Sequence, residues 1–486
     1  MTIGIETLHV IDGERTPSAD NQWAESLDPS SGVRIGRFAN GGLLEAQAAV
    51  EAARRAFQNP SWTHNPRLRQ HVLLQWATRL EERGEALVEL LTRENGKVIA
   101  QSRGEIAATI SEIRYYAGLA RHNPGHVLEV APGEYSTMLR EPGGVAGLII
   151  PWNAPATLLA RAIGPALAAG CTVVVKPAPQ TALINAALLA PLVDMAELPK
   201  GVVNSFAETG HEGAQYMVAS PEVDILCFTG STATGQRIMA DAAPTMKKLS
   251  LELGGKSCAL VFEDADPSII APKLAAAATI ISGQQCTAAR RVLVHENHFD
   301  EMKQQLRRAL QNISVGPGLD PAHQMGPLID WQSRDRVAQQ IRDTYDICDE
   351  VVLETTVPKG NLEKGAYLTP SLIAHDDDNA SFCQEEVFGP LLVLERFSTE
   401  AEAIKKANNT RFGLSASVWT EQGSRGLRVA RALANGTVWL NDHNKLFAEA
   451  ETGGYRQSGI GRLHGFDAMN DFTELKHVYQ NCGLAE

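Results

Sequence analysis

Apolar positions in the first third of the chain recur every three or four residues, which is the spacing of an amphipathic helix. The apolar faces of three predicted helices are formed by Leu73, Trp76 and Leu80, by Leu87, Leu90 and Leu91, and by Ile106, Ile110, Ile113 and Ala117. The second helix is expected to end near Asn95 and Gly96, because glycine commonly terminates helices. Helical structure is therefore predicted to dominate this part of the chain.

From residue 146 onward the pattern changes to short apolar runs separated by alanine-rich helical stretches. The first series of runs covers residues 146–150, 172–175, 201–204 and 224–228. The second series covers residues 258–262, 291–295, 391–396, 414–419 and 437–441. Buried strands that alternate with helices predict two parallel α/β domains, with ligands at the carboxyl ends of the strands.

Residues 123–142 interrupt this order with two proline–glycine pairs, Pro124-Gly125 and Pro132-Gly133. Such pairs mark turns, so this segment is predicted to form a hairpin that leaves the body of its domain. The tail, residues 468–486, is expected to add a further strand. Both segments suggest contacts between subunits.

Composition limits the partners and the compartment. The 486 residues are too many for one core, so two or three domains are expected. The net charge of −13 argues against nucleic acid and anionic membranes, because both bind to a basic face. The chain has no apolar run long enough to span a bilayer and no signal-peptide pattern at its N-terminus. We therefore expect a soluble cytoplasmic protein.

The seven cysteines are widely spaced, with no CxxC pair and no zinc-ligand cluster, so reduced thiols and no metal site are expected. Cys286 differs from the others because Gly283, Gln284 and Gln285 precede it instead of apolar strand residues. Residues 287–289 are interpreted as a helix start, which would favour the thiolate. The alternative is a small buried hydrophobic residue, the commoner position of a free cysteine.

Two further residues fit the chemistry of a thiol nucleophile. Glu252 lies among apolar neighbours before Gly254 and Gly255, where burial would raise its pKa towards that of a general base. The alternative is a turn glutamate paired with Lys256. Asn153 follows a predicted strand, where its amide could stabilise an oxyanion; the alternative is an ordinary turn residue between two prolines.

Seven motifs in a fixed order make the chain resemble the NAD(P)-dependent aldehyde dehydrogenase superfamily. They are residues 151–155 (PWNAP), 176–177 (KP), 228–231 (FTGS), 252–256 (ELGGK), 283–286 (GQQC), 385–390 (EEVFGP) and 453–459 (GGYRQSG). Each motif is weak alone, but together they cover roughly residues 20–480. The resemblance implies a Rossmann-like cofactor domain (1–122 and 143–253), an α/β catalytic domain (254–460) and a small β oligomerisation element (123–142 and 468–486).

The resemblance also implies the reaction. Cys286 attacks the aldehyde to form a thiohemiacetal, and the Asn153 side chain and the Cys286 backbone N–H stabilise its oxyanion. After oxidation to a thioester, Glu252 activates the water that releases the acid. Relatives that transfer the acyl group to coenzyme A usually lack this glutamate, so its presence favours hydrolysis.

The cofactor residues follow from the same resemblance. NAD or NADP is expected to contact the six residues Trp152, Lys176, Gly230, Ser231, Glu386 and Phe388. Free N–H groups where a strand ends and a helix begins, near Ser231, suit a pyrophosphate. Without the motifs, we would interpret Ser231 as a helix cap, Lys176 as a surface lysine and Glu386 as a solvated glutamate.

Two departures from the family pattern affect the cofactor and proton transfer. NAD-preferring relatives commonly carry a glutamate three residues after the lysine, but this position is Pro179. We therefore predict that NADP is accepted or even preferred. Many relatives also carry a lysine and a glutamate where this chain has Ala162 and Leu463, so a proton relay built from that pair would be missing.

The substrate residues are expected to be Ala154, Arg161 and Lys445. Ala154 replaces a residue that is often a bulky aromatic one, and Arg161 should point from the same helix into the substrate tunnel. Lys445 lies in a polar, basic loop, residues 443–447. A polar or carboxylate-bearing aldehyde, including aromatic ones, is therefore predicted. Succinic semialdehyde is disfavoured, because Ile280 replaces the second arginine of the enzymes that oxidise it. The alternative for Arg161 is a structural ion pair.

Two other kinds of protein fit parts of the pattern. A structural or binding protein of the same fold would have lost the chemistry, yet Cys286, Glu252 and Asn153 are intact. A thiol esterase would leave Lys176, Ser231 and Glu386 unexplained. The family resemblance further implies a homodimer or homotetramer.

Overall fold

The computed structural model describes residues 4–485; residues 1–3 and 486, at the ends of two predicted units, lie outside the described residues. The strands in chain order are β1 (Ile5–Thr7), β2 (His9–Ile11), β3 (Glu14–Thr16), β4 (Trp23–Leu27), β5 (Arg34–Ala39), β6 (His126–Ala131), β7 (Glu134–Pro142), β8 (Val145–Ile150), β9 (Thr172–Pro177), β10 (Val203–Ser205), β11 (Ile225–Thr229), β12 (Lys248–Glu252), β13 (Cys258–Val261), β14 (Arg291–His295), β15 (Glu350–Leu353), β16 (Ser371–Ala374), β17 (Leu391–Phe397), β18 (Ser415–Trp419), β19 (Thr437–Leu440), β20 (Gly459–Ile460) and β21 (Thr473–Asn481).

The helices fill most of the intervals between these strands. In chain order they are α1 (Leu43–Phe57), α2 (Pro60–Thr63), α3 (Pro66–Glu82), α4 (Gly84–Asn95), α5 (Ile99–Leu119), α6 (Pro155–Ala169), α7 (Ala182–Val193), α8 (Glu212–Ala219), α9 (Thr232–Ala242), α10 (Pro267–Thr279), α11 (Phe299–Gln311), α12 (Trp331–Tyr345), α13 (Ser381–Gln384), α14 (Glu400–Asn408), α15 (Gly423–Ala432) and α16 (Ala468–Asp471). Helix α4 ends before Gly96, whose φ of 84° terminates it as predicted. No helix within residues 4–485 is long and apolar enough to cross a membrane.

The first large sheet has the strand order β20-β12-β11-β8-β9-β10-β2-β3. Its five central strands, β12 to β10, run parallel, as the apolar runs predict. From the central β8 the chain proceeds to one side through β9 and β10, and then to the other side through β11 and β12. Such a reversal opens a crevice at the carboxyl ends of the strands, between β8 and β11.

The second large sheet has the order β15-β16-β17-β14-β13-β18-β19, and all its pairs except β15–β16 are parallel. Arg291 on β14 and Glu395 on β17 form a fully buried ion pair inside it, with contacts of 2.5 and 2.6 Å. The loops that lead into β14 and β17 face the crevice of the first sheet. The site described below lies between the two sheets.

The predicted hairpin and terminal strand are both present. Strands β6 and β7 form an antiparallel hairpin, and β21 pairs antiparallel with β7 along nine residues, from Thr473 opposite Pro142 to Asn481 opposite Glu134. This third sheet contains residues from both predicted parts of the oligomerisation element.

Two features of the organisation were not predicted. The chain begins with five short strands, β1 to β5, before its first helix, so helices do not account for the whole first third. Strand β20 also pairs with β12 at the edge of the first sheet, although it falls inside the predicted catalytic domain. A strand of two or three residues is too short to show an alternating pattern.

Candidate active site

The loop before β14 presents Cys286 in an unusual backbone conformation. Ile281, Ser282 and Gly283 have φ values of 48°, 55° and 75°, which is the left-handed region. For a residue with a side chain this conformation costs roughly 1–3 kcal/mol, so neighbouring contacts must hold it. The Ser282 hydroxyl contacts the carbonyls of Gly326 and Pro327 at 2.7 and 3.0 Å.

Arg290 completes the support of this loop. Its buried guanidinium donates to the carbonyls of Gly283 at 2.6 Å, Gln285 at 3.1 Å and Gly389 at 2.7 Å. Arg290 therefore connects the cysteine loop to the segment that carries Glu386. Sequence reasoning missed it because an arginine beside a strand is usually exposed.

The predicted helix start after Cys286 is wrong. Residues 287–289 form a turn in which the N–H groups of Ala288 and Ala289 already donate to the carbonyls of Gln285 and Ala277. Strand β14 begins only five residues after Cys286, which leaves no room for a helix. Burial, together with the carboxylates of Glu252 and Glu386, raises the pKa of Cys286 to about 12. These influences disfavour the thiolate that a helix start would have favoured.

Glu252 is the last residue of β12, so it lies at the carboxyl edge of the first sheet and not on a turn. Burial raises its pKa from 4.5 to about 7, as predicted, while the Arg161 and Arg462 guanidinium groups oppose that shift. Its Oε1 atom is buried and has no hydrogen-bond partner among residues 4–485. The carboxyl group can therefore accept a proton near neutral pH.

Asn153 follows β8 and is buried at the start of α6. The Asn95 side chain donates to the Trp152 carbonyl at 2.7 Å, and Lys97 Nζ donates to the Asn153 carbonyl at 2.9 Å. Lys97 is also paired with Glu105. Sequence reasoning missed these supports because polar residues after a helix end are usually exposed.

One cavity of about 310 Å³ unites most of the predicted residues. It is lined by Cys286, Glu252, Asn153, Trp152, Gly230, Ser231, Glu386 and Phe388, and also by Pro151, Thr229, Leu253, Gly254 and Arg336. The rings of Trp152 and Phe388 meet edge to face, with centroids 5.6 Å apart. Ser231 is the N-cap of α9, which is the alternative that we gave for it, and its side chain accepts from the Thr234 N–H at 3.2 Å.

Glu386 has the features of a ligand-binding carboxylate. Its Oε1 atom is buried without a hydrogen-bond partner among the described residues, and the nearest Arg290 nitrogen is 3.9 Å away. The other oxygen approaches Gly254 so closely that a Cβ there would lie 2.4 Å from it. Burial raises the pKa of Glu386, while Arg290 and Lys256 oppose the shift.

Lys176 lies in a second cavity of about 360 Å³, between α8 and α9, together with apolar residues that include Ile149, Phe228 and Ile238. Its Nζ is 3.6 Å from Glu208 Oε1. No local pattern indicated this carboxylate, because Glu208 is thirty-two residues from Lys176 along the chain.

The predicted substrate residues do not line the main cavity. Ala154 is the half-buried N-cap residue of α6, and Arg161 lies two turns further along that helix. Arg161 is near enough to lower the pKa of both Glu252 and Cys286. Lys445 has an exposed side chain, with its Nζ 3.8 Å from Asp442.

The 443–447 loop is less basic than predicted. His443 is buried, and its Nε2 donates to the Thr287 carbonyl at 2.9 Å while its Nδ1 contacts the Ser417 hydroxyl at 2.9 Å. Burial lowers the pKa of His443 to about 4, so the ring is neutral and holds Thr287, the residue after Cys286, in place. Ala162 and Leu463 are buried in the largest apolar core and cannot carry protons.

The doubly wound sheet, the second α/β sheet and the cavity between them define an NAD(P)-dependent aldehyde dehydrogenase. The model of the aldehyde dehydrogenase family matches residues 16–478, and the chain belongs to this family. The predicted resemblance is therefore confirmed.

Individual relatives support the same assignment. The NADP/NAD-dependent aldehyde dehydrogenase PuuC of Escherichia coli (strain K12) is 37% identical over 99% of this chain and 96% of its own. Human 2-aminomuconic semialdehyde dehydrogenase is 36% identical over 96% of both chains. A crystal structure of a betaine aldehyde dehydrogenase double mutant from Staphylococcus aureus, in complex with NAD+, matches with a TM-score of 0.95 and 33% identity, over 99% of this chain and 97% of that one.

Proposed function

We propose that this enzyme oxidises an aldehyde to the carboxylic acid by a hydrolytic mechanism with Cys286 as the nucleophile. The observation that carries the proposal is the single cavity that contains a thiol, a carboxyl group of pKa about 7 and an asparagine amide. Glu252 accepts the thiol proton as sulfur attacks the aldehyde carbon. The Asn153 side chain and the Cys286 backbone N–H donate to the oxyanion, and one such donor is worth ~3 kcal/mol.

The cofactor residues fit NAD(P). The unpartnered Glu386 Oε1 suits a ribose hydroxyl, Ser231 and the start of α9 suit the pyrophosphate, and Trp152 and Phe388 provide an aromatic wall. Lys176 and its apolar neighbours suit the adenosine. When bound, NAD(P) accepts a hydride from the thiohemiacetal carbon and leaves a thioester on Cys286.

Glu252 then serves a second time. Glu252 first releases the thiol proton to solvent, and its free Oε1 then accepts a proton from water as the water oxygen attacks the thioester carbon. The acid leaves when the bond from that carbon to sulfur breaks, and Glu252 returns its proton to the Cys286 sulfur. This role distinguishes hydrolysis from transfer to coenzyme A.

The test is absorbance at 340 nm with a panel of aldehydes and either NAD or NADP. We expect Cys286→Ala to abolish the signal, and Glu252→Gln to slow both the first reduction of cofactor and the later turnover, because Glu252 serves in both steps. Full steady-state turnover in Glu252→Gln would contradict the role of the base. Cofactor-independent ester hydrolysis without reduction would favour a thiol esterase, and no reaction at all would favour a structural or binding protein.

We further propose that Arg161 recognises a polar or carboxylate-bearing aldehyde, including aromatic ones. The Arg161 Nε atom is buried without a hydrogen-bond partner among residues 4–485, which speaks against a purely structural ion pair and leaves a donor for the substrate. Ala154 would widen the tunnel beside it. Because the Lys445 side chain is exposed, we place this residue at the mouth of the substrate tunnel.

Arg161→Ala tests this substrate class. We expect KM to rise at least tenfold for carboxylate-bearing aldehydes and to change little for neutral alkanals, because only the former lose a charge-assisted hydrogen bond. Lys445→Ala is the matched control and should alter both KM values less. An equal KM in Arg161→Ala and the wild-type enzyme for every aldehyde would contradict the proposal.

We also propose a homodimer or homotetramer assembled through the third sheet, and a cytoplasmic location. The free state of all seven cysteines is consistent with a reducing compartment.

A further inference from the structure

Two parallel strands bring a buried ion pair to the adenosine end of the cofactor site. Val175 on β9 lies opposite Ser205 on β10, so Lys176 and the residues after Ser205 emerge at the same edge of the sheet. Lys176 Nζ lies 3.6 Å from Glu208 Oε1, and Lys176 is only 8% exposed. Glu208 does not line the cavity that contains Lys176, so its carboxylate lies on the side of the lysine away from that cavity.

Glu208 is held in place by the helix that follows it. Its two oxygens accept from the N–H groups of Gly213 at 2.9 Å and Ala214 at 3.0 Å, in the first turn of α8. These donors and the positive end of the helix dipole stabilise the negative charge. Glu208 is fully buried, so water does not screen its charge from Lys176.

We propose that Glu208 makes this enzyme prefer NAD to NADP. Lys176 already has a counter-charge, so a 2′-phosphate would approach the neutral Lys176–Glu208 pair instead of a free ammonium group. A ribose hydroxyl needs only an N–H donor, which the pair still provides. This inference rests on the assignment of Lys176 to the adenosine ribose in the proposed function.

The proposal reverses the NADP preference predicted from Pro179. That prediction assumed that no carboxylate lies near Lys176. Glu208, three residues after the neighbouring strand β10, provides such a carboxylate. Three other cationic or titratable side chains, Arg237, His211 and Asp241, line the same cavity but are exposed. Solvent screens the interactions of these exposed side chains with a phosphate, whereas it screens those of the buried Lys176–Glu208 pair much less.

Binding of NAD and NADP without aldehyde, measured by calorimetry, tests the proposal. The wild-type enzyme should bind NAD at least tenfold more tightly than NADP. Glu208→Gln keeps one acceptor for α8 but removes the charge, so the preference should fall at least fivefold. Arg237→Ala is the matched control and should leave the preference within twofold of the wild-type value.

A second variant keeps the test decisive if Glu208→Gln does not fold. Pro179→Glu installs a carboxylate at the position that NAD-preferring relatives use. If Glu208 already excludes the phosphate, this change should alter the preference less than threefold; a tenfold gain for NAD would overturn the proposal. A wild-type preference for NADP, or an unchanged preference in Glu208→Gln, would also overturn it.

The outcome separates this proposal from the proposed catalytic function. Because the assay contains no aldehyde, the cofactor preference can be measured even if Cys286 and Glu252 have other roles. Failure of both cofactors to bind would overturn the assignment of the cofactor site and the role of Glu208 with it.

Discussion

At the scale of single residues, the site combines two groups whose pKa values burial raises. Cys286 has a pKa of about 12 and Glu252 a pKa of about 7, and each negative charge would disfavour the other. We therefore propose that the Cys286 thiol loses its proton as sulfur attacks, and that Glu252, in its ionised form, accepts this proton at neutral pH. In the proposed mechanism, the Asn153 side chain and the Cys286 backbone N–H then stabilise the negative charge once it has moved to the aldehyde oxygen.

The raised pKa of Glu252 predicts how stability depends on pH. Between pH 4.5 and 7 the folded enzyme keeps a proton that the unfolded chain releases, so this group lowers stability as the pH rises. Glu252→Gln removes the effect, worth up to about 3 kcal/mol above pH 7. We expect the Tm of the variant, relative to the wild-type enzyme, to be higher at pH 8 than at pH 5.

Thermal unfolding at the two pH values measures this difference directly. Glu94, which burial also gives a pKa of about 7, is present in both proteins and cancels in the comparison. An identical Tm difference at pH 5 and pH 8 would show that the pKa of Glu252 is the same in the folded enzyme as in the unfolded chain.

At the scale of helices and strands, the third sheet exposes apolar side chains that suit an interface. Val127 on β6 and Val478 on β21 lie opposite the same residue of β7, Thr137, so they share one face. They are 62% and 43% exposed. Apolar surface of this kind is commonly covered by another protein chain.

Charging this face should separate the subunits. We expect the double variant Val127→Glu, Val478→Glu to elute as a monomer of about 52.5 kDa, because a second subunit would have to bury both carboxylates. Light scattering coupled to gel filtration gives the mass. Leu427→Glu, at another exposed leucine, is the control and should keep the wild-type mass; an oligomeric double variant would exclude this face.

The sequence predicted the central strands well because β8, β9 and β11 are buried on both faces and form continuous apolar runs. It could not predict contacts that depend on distant residues. The left-handed Ile281 and Ser282 have no glycine signature, and Lys97, Arg290 and His443 have no local pattern that announces their burial. The Lys176–Glu208 pair arises only when β10 lies beside β9.

At the scale of the whole molecule, the active site belongs to neither large sheet alone. The first sheet contributes Glu252, and Asn153 follows its strand β8, whereas Cys286 and Glu386 precede strands of the second sheet. A bound cofactor would therefore contact both sheets and oppose their separation. Binding only to the folded form stabilises a protein by about 2.7 kcal/mol at a ligand concentration of a hundred times Kd.

We therefore expect NAD to raise the Tm of the enzyme, as measured by thermal unfolding with increasing cofactor. Cys286→Ala should retain the whole increase, because the thiol is not needed to bind the dinucleotide. Glu386→Ala should lose much of it, because this carboxylate is assigned to the nicotinamide ribose. An equal increase in both variants would remove Glu386 from the cofactor site.

The pairing of β20 with β12 has a consequence for the newly made chain. Gly459 on β20 lies opposite Glu252 on β12. Strand β12 therefore gains this neighbour only after some two hundred further residues have been translated. At about 5–20 residues per second, this interval is roughly 10–40 seconds. The pairing that holds Glu252 at the sheet edge can therefore form only after Gly459 has been translated, so ribosome-bound chains that stop short of this residue should be catalytically silent.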